Sequence, residues 1–301
     1  MKINYKKNLF KGKSGLCESI FCAPFESPEK FEEEDFENNR FSNLMRSGNQ
    51  IIEYVGIEDC DYVILPYKWD SYSKTTQCVI NEAKKLKKKV IVLHNDDYQP
   101  SIKIKEDDGF IFTTTITRGH NQKNEFPFPA FTGDFFSSEF NLTRRFGFCG
   151  AITHGLRNQI ISMINRSELE KDFVIRKGFW APELTKTEAR YQYVKHIENN
   201  AFTICIRGAG NFSYRLYETM MMGRIPVIID TDQILPFERH LDYSEFSLRI
   251  NYRDDKIIDK LGEFVLKSDE DIISMQKKSR LIWKEYMSPE GWIKNFEKEL
   301  C

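Results

Sequence analysis

Short apolar runs alternate with amphipathic stretches along most of the chain. The clearest example lies in residues 201–250, where AFTICI predicts a buried strand, RGAGNFS a turn, YRLYETMMMG an amphipathic helix ending at Gly223, and RIPVIID a second strand. In parallel βαβ units, ligands bind beyond the carboxyl ends of the strands, where helix N-termini offer free N–H groups to phosphate. We therefore expect Arg207, Arg215 and the start of this helix to face one crevice.

The first half of the chain shows the same alternation. Residues 61–67 (DYVILPY), 90–97 (VIVLHNDD) and 109–115 (GFIFTTT) predict strands, and TTQCVINEAKKLKKK predicts a helix between the first two. The stretch 126–136 is rich in proline and phenylalanine and predicts a non-regular connection. We expect the first domain to end shortly after this connection, at residue 142.

The second half continues the pattern on both sides of residues 201–250. A strand and turn are predicted at 145–150 (RFGFCG), a helix at 155–168 and a further strand at 172–178 (DFVIRKG). A charged helix is predicted within residues 259–288. This alternation predicts an α/β fold of two Rossmann-like domains that face one another across a cleft.

The last residues predict a helix with one apolar side, formed by Trp292, Ile293 and Phe296. Such a helix is expected to pack on a neighbouring element. We therefore divide the chain into an N-terminal domain (1–142), a C-terminal domain (143–280) and a helical tail that packs back on the body (281–301).

Composition narrows the range of partners. The chain has 301 residues with 44 Lys and Arg against 45 Asp and Glu, a net charge of -1, and so lacks the basic excess typical of a nucleic-acid-binding protein. The run of lysines at 84–89 predicts either a solvated helix end or a surface for anionic lipid or acidic glycan. The sequence gives no indication of the oligomeric state.

The cysteines and the N-terminus suggest a compartment. Seven scattered cysteines without a C-x-x-C pair are typical of a reducing environment and argue against a structural zinc site. The first fifteen residues lack the apolar run of a signal peptide, and no segment has the ~20 apolar residues needed to span a bilayer. We expect a soluble cytoplasmic protein, with peripheral contact at the inner face of the membrane through residues 84–89 as one option.

Between residues 207 and 243 the sequence keeps a fixed order of small, charged and apolar positions: Arg207-Gly208, Gly210, Ser213, Arg215-Leu216, Glu218, Gly223, Ile225-Pro226-Val227-Ile228, Leu235-Pro236-Phe237 and Leu241-Asp242-Tyr243. This order resembles the C-terminal signature of the exostosin-like glycosyltransferases, glycosyltransferase family 47. Weaker similarity extends over residues 59–66 and 144–160. Ile206, Arg224 and Tyr243 depart from the pattern, because proline, cysteine and tryptophan are usual there, and they leave the donor sugar open.

The resemblance implies a fold and an activity. The fold is GT-B, and the activity is inverting transfer of a sugar from a nucleotide sugar, with UDP as the expected nucleotide, to a glycan, polysaccharide or lipid-linked saccharide. No metal or other cofactor is required, because basic residues replace the metal in this fold. The alternative is a non-catalytic exostosin-like partner subunit that binds nucleotide sugar or glycan. A dinucleotide-dependent oxidoreductase would carry G-x-G-x-x-G after an early strand, and the sequence has no such run.

The signature segment offers groups for a diphosphate. Arg207 and Arg215 can each donate two charge-assisted hydrogen bonds to phosphate oxygens, and surface ion pairing is the alternative for both. The backbone N–H groups of the loop that follows Arg207 can form a nest for an anion. The loop residues expected to contact the nucleotide sugar are Gly208, Gly210, Asn211 and Ser213.

Three further residues, Glu218, Arg157 and Asp230, are assigned to the donor, and the first and last of them have an alternative role. The resemblance gives Glu218 to the ribose hydroxyls, whereas its spacing from Arg215 also fits a salt bridge on one helix face. By the same resemblance, Arg157 contacts phosphate. Asp230 and Asp232 follow a strand end, where each either contacts donor sugar hydroxyls or caps the following turn.

An inverting transfer needs a general base for the acceptor hydroxyl, and a carboxylate is the usual choice. By the same resemblance, residues 1–142 are the acceptor domain and residues 143–280 the nucleotide-sugar domain, so the base is expected in the first half. His94, Asp96 and Asp97 follow the strand VIVLHNDD and are the best-placed candidates. Asp70 and His120 are alternatives, and each of the five also fits a role as an ordinary loop residue.

Overall fold

The chain folds into two parallel β-sheets with helices around them, one sheet from each half. The computed structural model describes residues 1–4, 21, 40–65, 74–98, 104–137, 139–178 and 181–300. Neighbouring strands run parallel throughout both described sheets. Parallel strands need crossover connections, most often helices, which accounts for the alternation seen in the sequence. The predicted α/β fold class is confirmed.

The first sheet has six strands in the order β2-β1-β3-β4-β5-β6. Its central strands are apolar runs covered on both faces, which is the environment that parallel strands occupy. The elements of this half are β1 (Lys2–Asn4), α1 (Arg40–Ile51), β2 (Glu53–Tyr54), β3 (Tyr62–Leu65), α2 (Lys74–Lys85), β4 (Lys89–His94), β5 (Gly109–Thr113) and β6 (Glu125–Pro127).

The second sheet has five strands in the order β11-β10-β9-β7-β8. Within the described ranges, none of the helices has both the length and the apolar character required to cross a bilayer. The elements of this half are β7 (Phe146–Ala151), α3 (Gly155–Asn165), β8 (Lys171–Arg176), α4 (Lys186–Glu198), β9 (Phe202–Cys205), α5 (Tyr214–Met221), β10 (Ile225–Asp230), β11 (Leu248–Asn251), α6 (Ile257–Val265), α7 (Asp269–Ile282) and α8 (Pro289–Asn295).

Three local expectations need correction. The charged helix expected within 259–288 is two helices, because Ser268 accepts the N–H of Asp271 and starts α7 as a separate helix. The stretch 126–136 includes the end of strand β6, where Pro127 closes an edge strand. Helix α4 was not predicted, although Thr185 and Glu188 form a capping box at its start. The base candidate Asp70 lies outside the described residues.

The two halves meet through the segment that follows β5. Thr117 pairs with Gln233 in an antiparallel bridge, and the backbone N–H of Arg118 donates to the carbonyl of Asp232 at 2.7 Å. The Arg118 side chain forms a salt bridge with Glu238 at 3.0 Å. These contacts bring the carboxyl ends of the two sheets face to face, so each half supplies one wall of a cleft.

The C-terminal tail packs on the core of the first half. After α7, residues Trp283–Met287 form a wider helical turn, and α8 follows. Trp292 is fully buried and meets Phe112 and Phe128 edge to face, with ring centres 5.2 and 5.0 Å apart. The apolar side predicted for the tail therefore has a partner, and the partner is the N-terminal sheet.

Glu299, near the end of the tail, is buried and accepts the backbone N–H of Phe237. Burial raises the pKa of this carboxyl to about 7. An unfolded glutamate titrates near pH 4.3, so the folded state holds the proton more tightly, and stability falls as the pH rises from about 4 to about 7. For the wild type we expect the free energy of unfolding to fall by up to about 3 kcal/mol over that range. Glu299→Gln has no carboxyl group to titrate and should not show this fall.

Urea unfolding at about pH 5 and about pH 8 measures this difference for the wild type and the variant. Glu263→Gln, an exposed substitution of the same type on α6, is the control and should keep the wild-type pH dependence. An unchanged pH dependence in Glu299→Gln would contradict the assignment.

Candidate functional site

Five arginines gather where strands of the second sheet end. Arg176 is the last residue of β8, Arg207 follows β9, and Arg157, Arg190 and Arg215 come from α3, α4 and α5. We call these five the arginine cluster. The cluster lies at the carboxyl edge of the sheet, which is the edge where ligands bind in parallel α/β folds.

Aromatic rings lie against the cluster, and two of them each lie near two or more arginines. The guanidinium carbons of Arg215 and Arg157 are 4.4 and 5.8 Å from the centre of the Phe148 ring. Those of Arg190 and Arg176 are 5.6 and 5.9 Å from the centre of the Tyr193 ring. Cation–π attraction offsets part of the repulsion among like charges, which helps to hold several arginines together.

Arg215 fits a space that a glycine leaves open. It is 8% exposed, and its Nη2 donates to the carbonyl of Cys149 at 2.8 Å. A Cβ atom on Gly150 would lie 2.7 Å from the same Nη2, closer than such atoms approach. Gly150 is therefore required for the present position of the guanidinium group, which lies over Phe148 at the floor of the site.

Arg157 connects the ends of two strands. Its guanidinium donates to the carbonyls of Ala151, Ile206 and Arg207 at 2.9, 3.0 and 2.9 Å. Burial, and then the charge of Arg215, lowers the pKa of Arg157 to about 10, so it stays charged at neutral pH. The phosphate contact predicted for Arg157 stays a prediction, and the structure adds a role in fixing the loop that carries Arg207.

Glu218 is held by α4. Arg190 Nη1 donates to one carboxylate oxygen at 2.8 Å, and the Tyr193 hydroxyl donates to the other at 2.7 Å. The alternative predicted for Glu218 was a salt bridge to Arg215, on its own helix. The salt bridge that Glu218 forms here is with Arg190, on a neighbouring helix. The ribose contact stays a prediction.

Hydrogen bonds within the loop after β9 hold its conformation. Gly208 donates its N–H to the carbonyl of Phe212 at 3.3 Å, and Arg207 donates to the carbonyl of Ala209 at 2.7 Å. Ser213 precedes α5, and its side chain does not cap the helix. The first N–H groups of α5 therefore lie beside the arginines without a side-chain cap from Ser213, which suits an anion.

Asn211 ties this loop to both halves of the protein. Its side-chain amide donates to the Thr117 hydroxyl at 3.0 Å and to the Thr231 carbonyl at 3.1 Å. Its side-chain oxygen accepts the Thr231 hydroxyl at 2.5 Å. The contact predicted between Asn211 and the nucleotide sugar stays a prediction, and the structure adds a role in positioning the loop.

Several cationic groups in the site lack acceptors. Each of the following nitrogens is buried without a hydrogen-bond partner among the described residues: Arg157 Nε, Arg190 Nη2, Arg207 Nε and Arg215 Nε. A buried N–H group without an acceptor costs about 1–3 kcal/mol, and a ligand rich in anionic oxygens would supply the missing acceptors. In the described part of the chain, no group of three or more His, Cys, Asp and Glu residues could hold a metal ion.

Asp230 lies on the edge of the site toward the first half. Its Oδ2 accepts from Arg249 at 2.9 Å and lies 3.7 Å from Arg118. Its Oδ1 is buried without a hydrogen-bond partner among the described residues. One oxygen is therefore used in an ion-pair network, and the contact between Asp230 and the donor sugar stays a prediction. Asp232 pairs with Arg253 at 2.8 Å.

The base candidates of the first half differ in their positions. His94 is buried at the end of β4, and His120 is exposed in a turn after β5. Asp96 accepts the backbone N–H of Asp97 at 2.7 Å. Asp97 crosses the cleft, where its Oδ1 accepts the backbone N–H of Gly210 at 3.1 Å. Among these four, Asp97 is in hydrogen-bond contact with the loop that carries the predicted donor residues.

The comparison with protein families decides the class of the molecule. A sequence model of the Exostosin GT47 domain matches residues 74–261, which is more than half of the chain. The chain belongs to the exostosin GT47 family of glycosyltransferases. The family expected from residues 207–243 is confirmed. The two facing parallel sheets form the GT-B arrangement that the resemblance implied.

Two animal exostosins are similar to this GT47 chain over short regions. Exostosin-1 of Drosophila melanogaster is 26% identical over 98 residues, which is 32% of this chain and 12% of that protein. The Exostosin-1 homolog of Caenorhabditis elegans is 32% identical over 65 residues, which is 22% of this chain and 17% of that protein. The aligned regions cover less than a fifth of either curated relative.

Solved glycosyltransferase structures are loosely similar to this GT47 chain. Anabaena HepE, solved in complex with UDP and glucose, has a TM-score of 0.48 and 7% identity over 100% of this chain and 99% of its own. A mutant of S. aureus TarM, solved with fondaparinux, alpha-GlcNAc-glycerol and UDP, has a TM-score of 0.43 and 14% identity over 86% and 52%. The fold described above rests on the strand order of the chain itself.

Three residues of this GT47 site were not predicted from the sequence. Arg176 ends a strand that was predicted, so the rule that ligands bind at carboxyl strand ends could have indicated it. Arg190 and Tyr193 lie on α4, and the capping box at its start was the available signal. Their partner Glu218 is 28 and 25 residues away, a separation that local patterns do not report.

The lysine run at the end of α2 contacts the turn before β5. Lys84 forms a salt bridge with Asp108 at 2.9 Å. Lys88 donates to the Cys60 carbonyl at 2.8 Å, and Lys89 donates to the Asp107 carbonyl at 2.6 Å. These contacts fit the interpretation as a solvated helix end, and contact with a membrane stays a prediction.

Proposed function

We propose that this GT47 protein transfers a sugar, with inversion, from a UDP-sugar to a hydroxyl of a glycan or polysaccharide acceptor. The observation that carries the proposal is the arginine cluster, with buried guanidinium nitrogens that have no acceptor in the part of the chain that the structure describes. A diphosphate offers several anionic oxygens within a short span, which is the ligand chemistry that this arrangement fits. UDP as the nucleotide follows from the family resemblance.

The leaving group is stabilised by fixed positive charge. As the bond to the sugar breaks, negative charge grows on the terminal phosphate of the donor. Arg207, Arg215 and the start of α5 meet that charge, and burial strengthens each interaction because little water screens it. The same groups do the work that a divalent cation performs in other enzymes, so we propose that no metal is required.

The acceptor side of the cleft supplies the base. Inversion is a single in-line displacement, in which the acceptor oxygen attacks the anomeric carbon opposite the diphosphate. The base must therefore lie on the wall that faces the arginine cluster. Asp97 lies on that wall and contacts the loop beside the cluster, so it is the base that we favour over His94 and Asp96.

Two measurements test the proposal. In a thermal-shift screen of nucleotides, a ligand at a hundred times its dissociation constant adds about 2.7 kcal/mol to the stability of the folded state. In the second measurement, the protein is mixed with UDP-sugars and oligosaccharide acceptors, and released UDP is followed with and without EDTA. We expect stabilisation by UDP and release of UDP at equal rates in both mixtures.

The outcomes separate the alternatives. Stabilisation without release of UDP in any mixture would indicate a non-catalytic partner subunit. Absence of stabilisation by every nucleotide would contradict the assignment of the arginine cluster. If EDTA abolished the release of UDP, only the proposal that no metal is required would be contradicted.

A small substitution tests the position of Arg215. Gly150→Ala puts a methyl group where the Arg215 guanidinium now lies, and Gly150 also has a backbone φ of 157°, which favours glycine. The flexible guanidinium is the group that must move. We expect the dissociation constant for UDP to rise about tenfold with a modest loss of stability.

Isothermal titration with UDP and thermal unfolding separate these two effects. Gly155→Ala is the matched control, since a Cβ atom there meets nothing within 4 Å. Equal UDP affinity in Gly150→Ala and the wild type would show that UDP binding does not depend on the position of Arg215 beside Gly150.

A further inference from the structure

Asp97 lies where the donor's anion is expected. The loop from Arg207 to Ser213 supplies backbone N–H groups beside the arginine cluster, and one of them, from Gly210, is taken by the Asp97 carboxylate at 3.1 Å. The negative charge of Asp97 also acts on Arg207, where it opposes the lowering of the Arg207 pKa by burial. In this structure an internal carboxylate therefore interacts with two groups assigned to the diphosphate.

The contact is tight and is fixed from both sides. A Cβ atom on Gly210 would lie 2.8 Å from the Cα of Asp97 and 2.8 Å from the Thr115 hydroxyl. On the side of the first half, the Thr115 hydroxyl donates to the carbonyl of Asp96 at 2.6 Å. On the side of the second half, Asn95 donates to the hydroxyl of Tyr214, in the first turn of α5, at 3.0 Å. The Asp97 carboxylate therefore holds the position in front of the Gly210 N–H that a phosphate oxygen would need.

A phosphate and a carboxylate cannot share this position. Both are anionic acceptors, and two like charges within hydrogen-bond distance of one N–H group repel each other strongly. The diphosphate has more anionic oxygens than one carboxylate and can also reach the buried guanidinium nitrogens. A diphosphate bound at this loop would therefore require the Asp97 carboxylate to leave.

We infer that Asp97 occupies the donor's anion site in the free protein and is displaced by the donor diphosphate, which frees its carboxylate to act as the general base. This inference rests on the proposed function. It predicts an order of binding, with the donor before the acceptor, because the base is not available until the diphosphate has entered. The Asp97 carboxylate also neutralises positive charge on the loop that carries Arg207 while no donor is bound.

In the transfer step, one bond of the anomeric carbon forms as another breaks. The acceptor oxygen forms a bond to the anomeric carbon, and the bond from that carbon to the diphosphate oxygen breaks. Its electron pair leaves on UDP, which the arginine cluster holds. The proton of the acceptor hydroxyl passes to the Asp97 carboxylate and is later released to water.

The test is a variant with opposite effects on binding and on transfer. Asp97→Asn keeps the shape of the side chain but is a weaker acceptor for Gly210 and no longer attracts Arg207. We expect the variant to bind UDP about tenfold more tightly than the wild type, because its competitor is weakened. We expect transfer from the UDP-sugar to fall at least about a hundredfold, because the base is lost.

Calorimetry with UDP and the assay of UDP release provide both numbers, and thermal unfolding without ligand shows whether the variant folds. Asp97→Ala is a second variant with the same expected signs. Asp59→Asn, an exposed carboxylate-to-amide change in the turn before β3, is the control and should leave both values unchanged.

A purely structural role for Asp97 would weaken UDP binding and transfer together, and that result would overturn the inference. Transfer at the wild-type rate in Asp97→Asn would overturn it as well. These results differ from failure of the proposed function, in which the wild type itself would bind no UDP.

Discussion

Arg215→Ala should reduce sugar transfer by at least about a thousandfold and weaken UDP binding at least about tenfold. The guanidinium is buried over Phe148, and its Nε has no acceptor among the described residues. Removing it takes away one of the fixed cations that meet the leaving phosphate, in a site that water screens poorly. The effect on transfer should exceed the effect on binding, because the charge on the phosphate grows as the bond breaks.

Steady-state rates of UDP release and calorimetry with UDP measure the two effects. Arg215→Lys keeps the charge but not the planar fork, and should restore binding more than transfer. Arg166→Ala, at the exposed end of α3, removes an arginine far from the cluster and should behave as the wild type. Full turnover in Arg215→Ala would contradict the assignment of the site.

Trp292→Ala should lower the free energy of unfolding by about 4 kcal/mol. Trp292 is fully buried, with the rings of Phe112 and Phe128 of the first half and of Phe296 in the tail at 5.2, 5.0 and 5.1 Å. The substitution removes these contacts and leaves a cavity between the tail and the N-terminal sheet. Because the tail joins the two halves, the first half should lose protection against hydrogen exchange more than the second.

Urea unfolding and hydrogen exchange test this prediction. Trp292→Phe should cost much less, since the indole Nε1 is buried without a partner among the described residues and phenylalanine removes it. Leu266→Ala, at a side chain that is 81% exposed, is the control and should change stability by less than about 0.5 kcal/mol. A small effect of Trp292→Ala would show that the tail is not part of the core.

Local patterns predicted most strands and the position of the donor loop. Runs such as IPVIID are recognisable because a buried parallel strand needs only consecutive apolar residues. The turn after β9 and the helix that Gly223 ends were recognisable because backbone geometry there depends on a few neighbouring residues. Helix α4 was not predicted because its apolar positions do not follow a clear helical period, although Thr185 and Glu188 form a capping box at its start.

The partners of the charged groups required the tertiary structure. Glu218 could have paired with Arg215 on its own helix, and it pairs with Arg190 because packing places α4 beside α5. Asp97 was one of several acidic and basic residues at strand ends of the first half. Its contact with Gly210 depends on how the two halves meet, which no local pattern contains.

The sequence by itself determined the fold class, the family and the segment that carries Arg207, Arg215 and Glu218, because strands, helices and glycine turns follow from neighbouring residues. Only the tertiary structure decided which groups meet: the arginine cluster, the helix that holds Glu218, the sheet that buries Trp292 and the carboxylate that reaches Gly210. Each of these contacts joins residues far apart in the chain. Their pairing depends on the packing of whole elements, which fixes distances and excludes water in ways that sequence spacing does not report.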